Sequence, residues 1–232
     1  MLIEIEGVSK NIGRRCVIDN ISLKLESSKI WGFKGINGSG KTMLMRLIAG
    51  LIKPDKGRII IDGKELWKDI SFPDSIGILI ENPAFLDGMT GFKNLKTLAS
   101  IKNKINDNDI KKSLSDVGLD PNLSKKYRAY SLGMKQRLAI ARAILAKPEF
   151  LILDEPINAL DPEGIREMRT LFQRLNQEDG TTIFISSHIL SEVDLLADTI
   201  GIIQHGKLLT ELTIEEIHKH QTDYISLQVD DV

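Results

Sequence analysis

Two short clusters in this chain combine the residue types that phosphate chemistry needs. Residues 35–42 read Gly35-Ile-Asn37-Gly38-Ser39-Gly40-Lys41-Thr42, the pattern G-x-x-x-x-G-K-[ST]. Glycines at this spacing let successive backbone N–H groups turn inward and form a nest for an anion. A helix opening at the end of the loop adds about half a positive charge at its N-terminus. In such a loop Lys41 reaches the β- and γ-phosphates of a nucleotide, and the Thr42 hydroxyl ligates Mg2+. Gly35, Asn37, Gly38, Ser39, Gly40, Lys41 and Thr42 are therefore the candidate phosphate contacts. Farther along, Phe150-Leu-Ile-Leu153-Asp154-Glu155 is an apolar run that ends in two carboxylates. Asp154 suits the Mg2+ coordination shell. Glu155 follows directly and points elsewhere, which suits a general base or polariser for an attacking water. An apolar run ending in Asp-Glu is weak evidence by itself; paired with the glycine loop it becomes strong evidence for a nucleoside triphosphatase that uses Mg2+. His188 closes the run Thr182–Ser187 and is a candidate γ-phosphate sensor if its strand lies beside the Asp154 strand.

The elements around these residues read as an α/β domain. Strand-like runs occur at Leu2–Glu6, Ile21–Glu26, Lys29–Phe33, Arg58–Asp62, Ile76–Ile80, Phe150–Leu153, Thr182–Ser186 and Ile200–Gln204. Ile21-Ser-Leu23-Lys-Leu25 alternates and reads as a half-buried strand, whereas Phe150–Leu153 and Ile183–Ile185 are continuous and read as strands buried on both faces. A helix is expected after the glycine loop, from Met43 to Ala49, with Gly50 stopping it. Asp161-Pro162 opens a second helix, on which Ile165, Met168, Leu171, Phe172 and Leu175 form one stripe. Strands alternating with helices imply a mostly parallel sheet, a P-loop (RecA-like) core, with an antiparallel portion near the N-terminus. Between about residues 84 and 147 no strand is evident. Lys93–Lys104, Asp109–Val117 and Gly133–Ala146 read as helices of a helical insertion. Gln204-His205-Gly206-Lys207 reads as a hairpin turn, and the stretch from about residue 211 as a short polar tail. One domain covers 1–232.

Composition bounds the class. The 232 residues carry 31 Lys and Arg against 32 Asp and Glu, so the net charge is −1. A chain that wraps nucleic acid needs a strongly basic face, so no nucleic-acid partner is expected. The longest charge-free run, Gly180–Ser191, is short of the roughly 20 apolar residues that span a bilayer. The first residues, Met-Leu-Ile-Glu, lack the basic and apolar regions of a secretory signal. The single cysteine, Cys16, permits no internal disulfide and fits a reducing compartment.

Taken together, the motifs resemble those of the ATP-binding-cassette (ABC) ATPases, the nucleotide-binding subunits of ABC transporters. The resemblance covers nearly the whole chain, to about residue 215, and its motifs come in the family's order. The glycine loop is first, and Glu81 holds the glutamine-loop position. Tyr130-Ser131-Leu132-Gly133-Met134-Lys135-Gln136-Arg137 is signature-like. Phe150–Glu155 comes next, Asn158-Ala-Leu160-Asp161 resembles the D-loop, and His188 matches the switch histidine. The resemblance implies a second ATPase subunit paired head to tail, with each ATP held between the loop of one copy and Ser131 and Gly133 of the other. It also implies a polytopic membrane permease docked near the helical insertion and Glu81, placing the chain at the cytoplasmic face of the membrane. Leu79-Ile-Glu81-Asn-Pro83-Ala-Phe85, with the signature, is similar to ATPases of bacitracin- and lantibiotic-type exporters.

Three positions depart from the family's commonest pattern. Glu81 replaces a glutamine: its carboxylate can approach Mg2+ or water, but it adds a negative charge beside the phosphates. Leu132 replaces the first signature glycine. Ile12 stands where an aromatic residue stacks on adenine and offers no π face. The alternatives predict other features. Ribosome- or repair-associated relatives carry two cassettes or long coiled coils, and this chain has one glycine loop and no heptad run. A GTPase needs N-K-x-D, and Asn103-Lys104-Ile105-Asn106 lacks its final Asp.

Overall fold

The structure, a computed structural model, describes residues 1–81, 84–101, 105–187 and 193–221, of which 218, 220 and 221 by backbone only. Its backbone follows from where the apolar residues fall. In β7 (Phe150–Asp154), Phe150 and Ile152 pack into one hydrophobic cluster, and Leu151 and Leu153 into another. In β8 (Thr182–Ser186), Phe184 joins the first cluster, and Ile183 and Ile185 the second. A strand that alternates its side chains between two dry layers has no polar position to spare, hence the continuous apolar runs.

These strands belong to a six-stranded sheet of order β10-β9-β3-β8-β7-β6. Its other members are β3 (Ile30–Lys34), β6 (Ile76–Leu79), β9 (Thr199–Gln204) and β10 (Lys207–Thr213). The pairs β3–β8, β3–β9, β6–β7 and β7–β8 are parallel; only β9–β10 is antiparallel. A second, antiparallel sheet runs β2-β1-β4-β5, with β1 (Ile3–Ile12), β2 (Arg15–Leu25), β4 (Lys56–Ile61) and β5 (Lys64–Glu65). Helix α1 (Lys41–Ile48) buries Leu44, Met45, Leu47 and Ile48 in the layer between the two sheets. The other face of the large sheet carries α2 (Gly91–Ala99), α3 (Asp107–Asp116), α4 (Leu132–Ile144) and α5 (Pro162–Gln177). The mostly parallel α/β core with an antiparallel N-terminal sheet is thus present.

Several boundaries differ from the sequence reading, each for a local reason. Helix α1 opens at Lys41 rather than Met43, so the lysine and threonine of the loop are already helical. The helix expected over Lys93–Lys104 begins at Gly91, because the Thr90 side chain caps it by accepting from the Lys93 N–H, and ends at Ala99; residues 102–104 lie outside the described residues. Helix α3 starts at Asp107, behind an Asn106–Asp109 capping box. The polar tail expected from about residue 211 is still regular structure. Strand β10 runs to Thr213 and a C-terminal helix, α6 (Ile214–Gln221), follows. Strand β10 escapes sequence reading because it is a polar edge strand, with only every second residue half-buried. The turn before it is as expected: His205 and Gly206 both take positive φ, 49° and 77°.

Candidate active site

The glycine loop sits between the end of β3 and the start of α1. Gly38 and Gly40 have φ of 77° and 114°. A Cβ on Gly40 would lie 3.0 Å from both the Val17 carbonyl oxygen and Ile18 Cδ1, so only glycine lets the loop run this close to β2. The β9–β10 turn closes the other side, where the Gly206 N–H donates to the Ser39 carbonyl (2.8 Å) and the Asp19 N–H to the Gly206 carbonyl (2.8 Å). Gly40 is the N-cap of α1 and has no side chain to accept a hydrogen bond. By contrast α2, α3, α4 and α5 carry side-chain caps from Thr90, Asn106, Ser131 and Asp161. The first N–H groups of α1 therefore keep their donors available to an anion in the loop. Lys41 is 6% exposed; its Nζ spans the loop and donates to the carbonyls of Gly35 (2.6 Å) and Ile36 (3.2 Å). The Ser39 hydroxyl is buried without a hydrogen-bond partner.

The second cluster meets the first. Thr42 Oγ1 donates to Asp154 Oδ2 at 2.5 Å, across 112 positions of sequence. The other carboxylate oxygen accepts from Ser186 Oγ, also at 2.5 Å. Ser186 stands beside Asp154 in the β7–β8 register and is fully buried. Its hydroxyl oxygen and carbonyl both accept from the Glu155 N–H, at 3.1 and 3.2 Å. Glu155 sits at φ 50°, in the left-handed region, so its side chain leaves the strand direction that Asp154 follows. From α4, Gln136 Nε2 donates to the carbonyl of Pro156 (2.7 Å).

These groups line one cleft of about 530 Å3, with walls that include Asn37, Gly38, Gly40, Lys41, Thr42, Arg46, Glu81, Asp154 and Glu155. Arg15, Cys16, Val17, Met43, His205 and Gly206 form the rest of its rim. The donor set fits a nucleotide with Mg2+. A nest of N–H groups and a lysine suit phosphates, and a hydroxyl in contact with a carboxylate offers hard oxygen ligands for a small divalent cation. Among the described residues no group of three or more His, Cys, Asp or Glu could hold a metal ion. Mg2+ takes one or two protein ligands and completes its shell with phosphates and water.

Not every expected site residue is here. Glu81 lines the cleft, but its carboxylate pairs with Arg46, not with Thr42 or Asp154. Ile12 is 53% exposed near the β1–β2 turn and is not among the cleft-lining residues; the hairpin contributes Arg15, Cys16 and Val17 instead. Ser131 and Gly133 lie at the exposed start of α4, where Ser131 Oγ accepts from the Met134 N–H (3.2 Å). Asp161 caps α5 through the Gly164 N–H (3.1 Å). None of these three lines the cleft of its own chain. His188, with Asn82 and Pro83 of the glutamine-loop segment, lies outside the described residues. Sequence reasoning missed Ser186 and Arg46: the first looks like an ordinary strand residue, and the second like a surface position on an amphipathic helix.

Comparison with known proteins agrees with this geometry. The family model described as ABC transporter matches residues 18–158. The bacitracin transport ATP-binding protein BcrA of Enterococcus faecalis is 42% identical over 231 residues, 99% of this chain and 75% of that protein. The lantibiotic transport ATP-binding protein SrtF of Streptococcus pyogenes is 38% identical over 212 residues, 90% of each chain. Among solved structures, cbiO1 from Clostridium perfringens, part of an ABC transporter complex, matches with a TM-score of 0.80 at 26% identity over 94% of this chain and 91% of that one. A dimeric ATP-binding cassette bound to ADP and Pi matches in fold with a TM-score of 0.83 at 22% identity, covering 91% of this chain and 98% of that one.

Proposed function

The chain belongs to the ABC transporter family and is an ATP-binding, ATP-hydrolysing subunit; from that premise we propose that it powers a separate membrane permease exporting a peptide antibiotic or similar amphipathic compound. Supporting the substrate class are the relatives BcrA and SrtF, named for bacitracin and lantibiotic transport. Among the described residues no helix is long and apolar enough to cross a membrane, so the reading assigns the crossing to a partner chain. The ATPase then sits at the cytoplasmic face, held there by the permease.

In this reading the loop N–H groups and Lys41 bind the β- and γ-phosphates. Thr42 and Asp154 hold Mg2+, which when bound neutralises charge on the phosphate oxygens. Ser186 fixes the Asp154 carboxylate through one oxygen and leaves the other facing Thr42. Glu155 takes the proton of the attacking water or orients that water. His188 senses the γ-phosphate. Ser131 and Gly133 close the site of a second copy, and Asp161 serves at the same interface. That these three residues do not line their own cleft supports a site completed in trans.

The observation that carries the reading is the Thr42–Asp154 contact, which joins the phosphate loop to the acidic strand end. Phosphate release from Mg-ATP by purified protein tests it. Lys41→Ala is expected to lower that rate by about 100-fold or more, the scale of losing an electrostatic contact at the reacting phosphate. Ordinary turnover in the variant would refute it.

A further inference from the structure

Glu81 is a carboxylate where the family's usual residue is neutral, and the structure gives it a counter-ion. Arg46 Nη2 pairs with Glu81 Oε1. Arg46 follows Thr42 by four residues on α1, so both side chains project from one face of that helix. Both line the nucleotide cleft, as do Glu81, Asp154 and Glu155. Three carboxylates around a site for a polyanion raise the cost of bringing that anion in. The two oxygens of Asp154 are occupied by Thr42 and Ser186, and Lys41 Nζ is held by the loop carbonyls. The recorded partner of the Glu81 carboxylate is Arg46.

The pair is poorly suited to a purely structural role. The Glu81 side chain is 66% exposed and that of Arg46 28%, and ion pairs this wet contribute little to folding. Glu81 also sits at φ 60°, a left-handed conformation that costs energy in a non-glycine residue and fixes where its side chain points. We propose that Arg46 is a positioning residue: it holds the Glu81 carboxylate and offsets its charge so that Mg-ATP can enter the cleft. The proposal rests on the ATPase reading and adds a residue which that reading does not use. It also explains how a glutamate is accommodated at position 81, where glutamine would need no cation.

A double-mutant cycle on the purified protein tests this, read as the Mg-ATP dissociation constant by calorimetry, with thermal midpoints confirming that each variant is folded. Arg46→Gln should weaken Mg-ATP binding by about tenfold, the size of a close charge–charge coupling. Arg46→Lys, which keeps the charge, should stay within about threefold of the parent protein, because point-charge compensation survives the loss of the guanidinium fork. In a Glu81→Gln background the penalty of Arg46→Gln should shrink to about twofold or less, since the charge to be offset is gone. An equal penalty in both backgrounds would mean that Arg46 acts on the nucleotide or the fold directly, and would overturn the proposal. So would no penalty in either. Failure of the parent protein to bind ATP at all would overturn the ATPase reading as well, whereas Lys41-dependent binding with an uncoupled cycle would sink only the role of Arg46.

Discussion

Asp154 and Glu155 are neighbours in the chain, yet the structure holds them differently. Asp154 ends a strand, and both its oxygens are engaged by hydroxyls, from Thr42 and Ser186. Glu155 turns out of the strand at φ 50°, its N–H held by Ser186. In the proposed roles, coordination for Asp154 and proton transfer for Glu155, the two should fail differently. Glu155→Gln preserves shape and removes basicity, so Mg-ATP affinity should stay within a few-fold while turnover falls by about 100-fold or more. Equilibrium binding and single-turnover hydrolysis on one preparation check this, and loss of binding in step with turnover would point to a coordinating role instead. At this scale the phosphate loop and the acidic pair were legible because their residue types recur at fixed spacing. Ser186 and Arg46 were not, because a serine in a strand and an arginine on a helix are ordinary until the fold brings them to a carboxylate.

Elements were legible where burial leaves a pattern and illegible where it does not. Strands β7 and β8 announce themselves as unbroken apolar runs because both faces are dry. Strands β5 and β10 do not: the first is two residues long, and the second is an edge strand with every other residue exposed. Helix starts depended on caps, and Thr90 and Asn106 lie before the segments, 93–104 and 109–117, that read as helices. At the seam between α2 and the start of α4, the Gly91 N–H donates a buried hydrogen bond to the Tyr130 hydroxyl at 3.0 Å. Tyr130→Phe would leave that N–H buried without a partner, at a cost of about 1–2 kcal/mol. Urea denaturation should show a lower midpoint with an unchanged slope. An unchanged midpoint would mean that water replaces the hydroxyl at the seam.

Over the whole molecule, near-neutral charge and a small polar cleft agree with one another. In the proposed site, phosphates are met by backbone N–H groups, Lys41 and a divalent cation, and that needs no basic surface. The resemblance implied that Ser131 and Gly133 face the loop of a second copy, with Asp161 in the D-loop beside them; the chain's own spacing could not say how they lie relative to its own loop. The fold puts Ser131 and Gly133 at an exposed helix start and leaves all three out of their own cleft. In the proposed function, nucleotide joins two copies head to tail, each completing the other's site. The most direct measurement is sedimentation of the Glu155→Gln protein with and without saturating Mg-ATP. The account predicts a species of the chain's own 25.9 kDa without nucleotide and one of twice that mass with it, with the shift abolished when Ser131→Arg is added. A 25.9 kDa species that persists with ATP bound, or a dimer indifferent to both ATP and Ser131, would contradict it.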